Sequence, residues 1–333
     1  MTSVGRRKAD HLRIAAGPDV AHTGGTGFEQ VRLRHRALPE RDLADVSLET
    51  ELLGVRLAAP LLVSAMTGGT PEAEVVNARL ARAACDHGLA LVLGSGRALL
   101  DDPEQLSTYR SADRPPLLLG NLGAAQVRRP DAPARAERLV ELLGADGLTI
   151  HLNPIQEAVQ PEGEPEFAGV ADGIAAIVAH LAPLPVVVKE VGFGMDGDDV
   201  ALLRDAGVAA IDVAGAGGTN WALIEGQRAP RAQQVAAAFA NWGVPTADAL
   251  AAARAAAPGL PLIASGGLRD GVDAAKALAL GATAAGLARP FLLGAQADTA
   301  SEVAATLVRQ LRIAVWAAGA ASAAELSPAF LVV

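Results

Sequence analysis

The chain has 333 residues, of which 51% are hydrophobic and 20% charged, with a mean hydropathy of +0.28 and a net charge of −9. This composition is typical of a well-buried globular protein, and the negative balance argues against nucleic acid as the main partner. Since no apolar run approaches the roughly 20 residues of a membrane span, and residues 1–30 contain no secretory hydrophobic region, we expect a soluble cytoplasmic protein without membrane contact.

The first 58 residues differ from the rest of the chain. Residues 1–36 carry seven basic residues against three acidic ones, a local balance of +4. A basic segment on an acidic protein suggests an anion site, although charge alone favours a solvated, partly disordered terminus. We expect residues 1–58 to form an N-terminal arm that packs against the remainder.

Eight short apolar runs follow, with helix-like segments between them. Near-continuous apolar runs are typical of parallel strands covered on both faces. The runs are Pro60–Met66, Ala90–Ser95, Pro116–Leu122, Gly147–Asn153, Pro185–Val191, Ala209–Gly215, Pro261–Gly267 and Thr283–Ala288. Eight such alternations over roughly 270 residues predict an α/β fold, a (β/α)8 TIM barrel over residues 59–333. A doubly wound open sheet is the alternative, but its G-x-G-x-x-G fingerprint is absent after the first run.

Two other features of the chain bear on this fold. The connection from Gly215 to Pro261 is unusually long, and an insertion of this size on the loop side of a barrel commonly shapes or covers a site. The single cysteine, Cys85, excludes an internal disulfide framework. Because it lies in the helix-like run Ala81–Gly88, we expect an inert, buried thiol.

Glycine-rich segments follow the last three predicted strands. They are Gly217-Gly218-Thr219, the stretch from Ser265 to Gly271, and Gly286-Leu287-Ala288-Arg289. Glycines let backbone N–H groups approach an anion closely, and the loops after strands seven and eight are the usual phosphate site of this barrel. We therefore predict a phosphate cradle there.

Polar side chains end two apolar strands. Lys189 closes the run from Pro185, where a lysine facing the barrel mouth would suit the pyrimidine end of a flavin; an ion pair with Glu190 is the alternative. His151 and Asn153 share one face of the fourth strand, and Gln156 and Glu157 follow Pro154. Glu157 is a candidate Mg²⁺ ligand, because Mg²⁺ prefers one or two carboxylates together with substrate phosphates.

These motifs together resemble the type 2 isopentenyl-diphosphate delta-isomerases, FMN-dependent barrels that interconvert isopentenyl and dimethylallyl diphosphate. The likeness runs from residue 6 to about 294 in family order. It is carried by Arg7-Lys8-Ala9-Asp10-His11, Ala37-Leu38-Pro39-Glu40, Met66-Thr67-Gly68-Gly69, Gly94-Ser95-Gly96-Arg97, His151–Glu157, Lys189-Glu190-Val191-Gly192, Gly215-Ala216-Gly217-Gly218-Thr219-Asn220-Trp221 and Ala264-Ser265-Gly266-Gly267.

The resemblance implies a role for each matching position. The substrate diphosphate would be held by Arg7, Lys8, His11, Arg97, His151, Asn153 and Gln156, and Mg²⁺ by Glu157. FMN would contact Ala65, Met66, Thr67, Ser95, Asn121, Lys189 and Thr219, with its phosphate on Gly267 to Arg269 and on Ala288 and Arg289.

The implied reaction moves a proton onto one carbon of an alkene and removes another from a neighbouring carbon. In the family, reduced FMN is thought to act as the acid and base, with NADPH needed only for its initial reduction. Gln156 and His151 are the catalytic candidates of the chain, with Gln156 assisting on the face away from the flavin. The resemblance also implies a homotetramer or larger homo-oligomer.

The chain departs from the family pattern at two positions. The family commonly has Gln where Gly96 stands, and Ala9 replaces an acidic residue of the N-terminal motif. Gly96 is expected to remove one polar group near the flavin, which affects substrate positioning more than the reaction class.

Two other functions remain as alternatives. An FMN-dependent 2-hydroxyacid oxidase or dehydrogenase would share the barrel, but it needs a His base and an Arg pair, and the loop Ala216-Gly217-Gly218-Thr219 offers neither. A non-catalytic flavin- or phosphate-binding protein would keep the cradle but have little use for the His151–Glu157 cluster or the basic arm.

Overall fold

The computed structural model of the chain describes residues 3–332 and contains a closed barrel of eight parallel strands. A two-stranded antiparallel hairpin, β1 and β2, precedes the barrel, which runs in the order β3 to β10 and closes where β10 pairs with β3. The strands are β1 Thr50–Leu52, β2 Val55–Leu57, β3 Leu61–Val63, β4 Ala90–Val92, β5 Leu117–Gly123, β6 Gly147–His151, β7 Val186–Lys189, β8 Ala210–Asp212, β9 Leu262–Ala264 and β10 Ala284–Leu287. Each barrel strand lies within or overlaps one predicted run, which confirms the TIM barrel.

Helices alternate with the barrel strands and pack around them. They are α1 Ser3–Ala15, α2 Pro71–Asp86, α3 Arg97–Asp101, α4 Ala124–Val127, α5 Ala132–Leu143, α6 Pro154–Val159, α7 Val170–Leu181, α8 Gly197–Asp205, α9 Trp221–Arg228, α10 Gln233–Ala237, α11 Thr246–Ala256, α12 Gly271–Ala279, α13 Arg289–Gln296 and α14 Ala300–Ala318. None of these helices, within residues 3–332, combines the length and hydropathy that a membrane span requires.

Successive side chains of a barrel strand point alternately outward and inward, so the strands contribute to two apolar layers. Val186 and Val188 of β7 pack outward with the surrounding helices, whereas Val187 belongs to a second buried cluster inside the ring. The hairpin residues Leu52 and Leu57 join that inner cluster and close the amino-terminal end of the barrel. The interior below the mouth is therefore a packed apolar core.

The next inward-facing position of each strand lies at its carboxyl end. There the inward-facing residues change from apolar to small or polar. By the two-residue period these positions are Ser64, Gly94, Asn121, His151, Lys189, Asp212, Ser265 and Gly286. Strand register places His151 opposite Lys189, and Lys189 opposite Asp212. Three titratable groups thus stand side by side on the floor of the mouth.

The N-terminal arm and the long connection meet over this mouth. Helix α1 contacts α9, which belongs to the connection, and the backbone N–H of His22 donates to the carbonyl of Gly218. The basic segment is therefore helical from Ser3 to Ala15, and its side chains are described from Arg7 onward; that of Arg6 lies outside the described part.

The prediction of a buried Cys85 is wrong, because the thiol is exposed. Helix α2 buries Ala73, Asn77, Leu80 and Ala84, a stripe spaced by three and four residues. Cys85 follows that stripe by about 100° of helical rotation and faces solvent.

Candidate functional site

A cavity of about 760 Å³ opens at the carboxyl ends of the barrel strands, beneath α1 and the insertion. Every residue to which the family resemblance gives a catalytic, substrate, cofactor or metal role lines it. These are Arg7, Lys8, His11, Ala65, Met66, Thr67, Ser95, Arg97, Asn121, His151, Asn153, Gln156, Glu157, Lys189, Thr219, Gly267, Arg269, Ala288 and Arg289. The structure therefore brings them together, while the role of each remains a prediction.

His151 is held in one orientation and kept neutral. Its Nδ1–H donates to Oδ1 of Asn121 on the neighbouring strand, at 2.7 Å. Burial, followed by the positive charges of Lys189 and Lys8, lowers the pKa of His151 to about 3. Since Nδ1 carries the proton, Nε2 is a hydrogen-bond acceptor at neutral pH.

The next side chains form a polar wall at the start of α6. Asn153 precedes Pro154, and its Nδ2 donates both to Oε1 of Gln156, at 3.1 Å, and to Oε1 of Glu157, at 2.9 Å. The other Glu157 oxygen accepts from Gln160 Nε2 and from the backbone N–H of Glu164. The Oδ1 atom of Asn153 is buried with no partner in the described part of the chain, so the wall keeps one acceptor unused.

Glu225 of α9, which the sequence reading missed, lies at the centre of this wall. Its side chain is fully buried, and its Oε1 accepts from His11 Nε2 at 2.8 Å and from Gln156 Nε2 at 2.9 Å. Arg228 donates to the other oxygen. Burial alone raises the pKa of Glu225, but the contacts with His11, Gln156 and Arg228 outweigh it and lower the pKa.

The arm also supplies cations to the cavity. Lys8 Nζ donates to the carbonyl of Ser95, at 2.9 Å, and to the hydroxyl of Tyr109, at 2.7 Å, and Tyr109 donates to the same carbonyl. Burial, followed by the charges of Arg7 and Arg97, lowers the pKa of Lys8 to about 7. A bound anion would restore favourable surroundings for this ammonium.

Arg97 and His11 complete the basic lining. Arg97 Nη1 donates to Oε1 of Glu164 at 2.8 Å, an ion pair at the edge of the cavity. The imidazole of His11 packs edge-on against Trp221, with 5.2 Å between ring centroids. The arm and the insertion are thus joined by both polar and aromatic contacts.

Lys189 and its neighbours define the floor. The ammonium donates to the backbone carbonyl of Glu190, whose carboxylate instead accepts the N–H groups of residues 191–193, so the alternative of a Lys189–Glu190 ion pair is not observed. Burial raises the pKa of Asp212, which accepts from Ser265 Oγ at 2.7 Å. The floor is a buried cation beside a buried acid.

The predicted phosphate cradle is formed by glycines that cannot carry a side chain. Gly217, Gly266 and Gly267 have φ values of 120°, 101° and 75°. A Cβ on Gly218 would lie 2.4 Å from the nitrogen of Gly267. Among residues 3–332, no protein acceptor is paired with the N–H of Gly217, Gly218, Gly266 or Gly267. These glycines line the cavity, and unpaired backbone N–H groups there are available to an anion.

The two arginines predicted for the flavin phosphate direct their guanidinium groups elsewhere. Arg269 pairs with Asp273 at 3.1 Å, and Arg289 donates to the carbonyls of Ala16 and Gly17 at the end of the arm. These two positions line the cavity, and Arg289 also fastens the arm to the barrel.

Glu157 is the single carboxylate offered for a metal. The part of the chain that the structure describes contains no group of three or more His, Cys, Asp or Glu residues that could hold an ion alone. A Mg²⁺ ion here would therefore need oxygens of a bound ligand to complete its coordination, and Mg²⁺ is commonly coordinated by substrate phosphates in this way.

Comparisons with known proteins show the family of the chain. The family FMN-dependent dehydrogenase matches residues 155–333. An isopentenyl-diphosphate delta-isomerase of Xanthobacter autotrophicus is 50% identical, over 96% of this chain and 95% of its own. That of Stutzerimonas stutzeri is 48% identical over 98% and 96%, and that of Rickettsia bellii 40% over 98% and 97%.

Solved structures confirm the barrel. A mandelate oxidase carrying an FMN adduct superposes with a TM-score of 0.64 at 25% identity, over 95% of this chain and 89% of its own. A flavocytochrome b2 with bound pyruvate shares the fold at a TM-score of 0.70 and 20% identity, over 98% and 82%. The relatives and the matching family model together show that the chain belongs to the FMN-dependent, type 2 family of isopentenyl-diphosphate delta-isomerases.

Proposed function

We propose that this protein interconverts isopentenyl diphosphate and dimethylallyl diphosphate, as a cytoplasmic enzyme of isoprenoid biosynthesis, with FMN, Mg²⁺ and NADPH as cofactors. One observation carries the proposal: Arg7, Lys8, His11 and Arg97 line the same cavity as Glu157 and the glycine cradle. A phosphorylated flavin and a diphosphate are both anions. A cavity with a cradle on one side and a basic, carboxylate-bearing wall on the other offers separate places for them.

The residues present fit FMN. The unpaired N–H groups of the cradle suit its phosphate, and the buried Lys189 suits the end of the ring that becomes negative on reduction. When bound and reduced by NADPH, FMN would supply the acid and base at ring atom N5. Two titratable groups on the described floor of the cavity do not offer an exposed acid for this purpose, since His151 is neutral and Asp212 is buried.

The residues also fit Mg²⁺ held jointly with a substrate. Within residues 3–332, the two Glu157 oxygens accept hydrogen bonds from uncharged donors only, namely Asn153, Gln160 and a backbone N–H. The carboxylate is thereby oriented without a competing cation, and it retains lone pairs for a metal. Arg7, Lys8 and Arg97 would neutralise the remaining diphosphate charge.

The chain's remaining task is to orient the isoprenyl group and exclude water. The α1 helix and Trp221 cover the mouth, and apolar side chains such as Val191 and Leu12 line the cavity between the polar walls. Exclusion of water protects a carbocation-like state from capture. Gln156, which donates to Glu225, would assist proton movement on the face away from the flavin.

The 2-hydroxyacid oxidase alternative is less well supported. Such an enzyme reads a substrate carboxylate with cations of its strand-end loops, whereas here the loop after β8 holds Gly217, Gly218 and Thr219. The cavity cations that the resemblance gives to the diphosphate come from the arm and from α3, whereas Arg269 and Arg289 of the strand-end loops are bonded to Asp273 and to backbone carbonyls. A non-catalytic flavin protein would leave the Gln156–Glu225–His11 contacts without a purpose.

The deciding experiment is incubation of the purified protein with FMN, NADPH, Mg²⁺ and isopentenyl diphosphate. Dimethylallyl diphosphate should form, and Glu157→Gln should raise the Mg²⁺ concentration needed. Absence of product from flavin-loaded protein would contradict the proposal, and bleaching of the oxidised flavin by a 2-hydroxyacid would favour the oxidase. Light scattering of the same sample tests the homotetramer or larger assembly that the family resemblance implies.

A further inference from the structure

Arg228, the last residue of α9, joins two carboxylates at the border of the site. One nitrogen of its guanidinium donates to Glu225, and the other donates to Oε1 of Glu162 at 2.6 Å. The Arg228 side chain is 11% exposed, that of Glu225 is fully buried, and that of Glu162 is 44% exposed. Arg228 therefore connects a solvent-exposed carboxylate, Glu162, with a buried one, Glu225.

The direction of the hydrogen bonds around Glu225 follows from its being an acceptor. An ionised carboxylate only accepts, so His11 must present Nε2–H and Gln156 must present its amide nitrogen. The Gln156 oxygen is then free to accept from Asn153, whose nitrogen also donates to Glu157. The ionised state of Glu225 therefore determines which atoms donate and which accept along the wall from Gln156 to Glu157.

We propose that Arg228, held by Glu162, is a positioning residue for the reaction: it keeps Glu225 an acceptor and thereby fixes which way the Gln156 amide points. The proposal rests on the isomerase function above, and it concerns residues that carry no contact with the flavin cradle. Neither the sequence motifs nor the family resemblance assigned a role to Arg228 or Glu162.

The physical reason is the cost of an uncompensated buried carboxylate. Without a neighbouring cation, such a group takes up a proton. A protonated Glu225 has an O–H donor beside its remaining acceptor oxygen, so it would no longer hold the Gln156 amide in a single orientation. The other charged or titratable groups near this pair are His11 on α1 and Arg7, whose charge acts on Glu162.

Glu162 matters because it orders the guanidinium. A planar fork with a carboxylate on each side has one orientation, whereas a single partner leaves it free to rotate. Glu162→Gln should therefore weaken the effect without abolishing it, and Arg228→Lys should retain the charge but lose the fork.

The test compares Arg228→Met, Arg228→Lys and Glu162→Gln with Arg129→Met, which removes an exposed arginine paired with an exposed Asp131. Circular dichroism first establishes that each variant is folded. Steady-state kinetics across pH then gives kcat and KM, and infrared spectroscopy of the cofactor-free protein reports the protonated carboxyl band, assigned by its loss in Glu225→Gln.

We expect Arg228→Met to lower kcat at neutral pH by about 100-fold, more than it raises KM. The acidic limb of its kcat profile should move upward by about 1–3 pH units, and a protonated carboxyl band should appear at neutral pH. Arg228→Lys and Glu162→Gln should lie between Arg228→Met and the wild type, and Arg129→Met should match the wild type.

A folded Arg228→Met with an unmoved pH limb and no carboxyl band would overturn the inference, even if kcat fell. A wild-type protein without isomerase activity would instead overturn the proposed function. In that case the infrared result would still decide whether Arg228 controls Glu225, so the two failures are distinguishable.

Discussion

The ion pair between Arg97 and Glu164 predicts the direction in which a mutation of Glu164 changes the affinity for pyrophosphate. Arg97 is expected to hold the substrate diphosphate, yet its Nη1 lies 2.8 Å from a carboxylate oxygen of Glu164. An incoming diphosphate must share or displace this partner. We therefore predict that Glu164→Gln binds inorganic pyrophosphate more tightly than the wild type does.

The size of the effect follows from exposure. The two side chains are 32% and 44% exposed, so solvent screens the pair, and such pairs are worth about 0.2–1 kcal/mol. Loss of this competition corresponds to about 1.4- to 5-fold tighter binding. The loop should keep its place, because the backbone N–H of Glu164 is held separately by Glu157 at 2.9 Å.

Titration calorimetry with pyrophosphate and Mg²⁺ measures this change directly. Glu166→Gln is the matched control, since Glu166 lies in the same loop, is exposed and has no ion pair within the described residues 3–332. Both variants lose one negative charge, so a general electrostatic effect would appear in both and weaken with salt. If Glu164→Gln bound pyrophosphate no better than Glu166→Gln, Glu164 would orient Arg97 rather than compete for it.

Three further changes test other parts of the site. Tyr109→Phe removes the hydroxyl that contacts Lys8, a loss of about 1 kcal/mol, and should raise KM about fivefold with kcat nearly constant; an unchanged KM would show that the contact does not order the arm. Gly267→Ala places a Cβ 2.5 Å from its nearest neighbour, so this variant should purify without flavin absorbance. The control Gly144→Ala, where φ is also positive but no atom lies within 4 Å, should retain the flavin. Equal flavin content in the two variants would exclude the cradle. The pKa of His151 is lowered by burial from 6.5 to about 3, so the unfolded chain takes up a proton there first and stability falls as pH drops through that window. Urea unfolding of His151→Gln should therefore depend less on pH between about 4 and 7 than that of the wild type, and an equal dependence would contradict the neutral, buried state.

The fold and much of the site could be predicted because, in a parallel barrel, both can be recognised from short segments of the sequence. Each strand is a short apolar run, and the residue that ends it faces the same mouth as the ends of all the others. His151, Lys189 and the glycines after β9 could therefore be assigned to one cavity from their positions at strand ends alone.

Glu225 and Tyr109 could not be found in this way. Glu225 lies within the inserted helix α9, and its partner His11 is 214 residues away in sequence. Tyr109 follows a 3-10 helix and reaches Lys8 across 101 residues. Neither residue ends a strand or belongs to a spaced motif, so only the tertiary packing of arm and insertion brings them to the site.

The departure from the family pattern at Gly96 has a cause in the packing of α5. A Cβ on Gly96 would lie 2.5 Å from one methyl carbon of Leu139 and 2.7 Å from the other. Gly94, Ser95 and Arg97 line the cavity, but Gly96 is not among its lining residues within 3–332. A side chain at this position would begin toward Leu139, and the expectation that Gly96 removes a polar group near the flavin stays a prediction. The glycine lets α5 approach the loop that carries Ser95 and Arg97, so the two site residues keep their positions while the residue between them is set by the core.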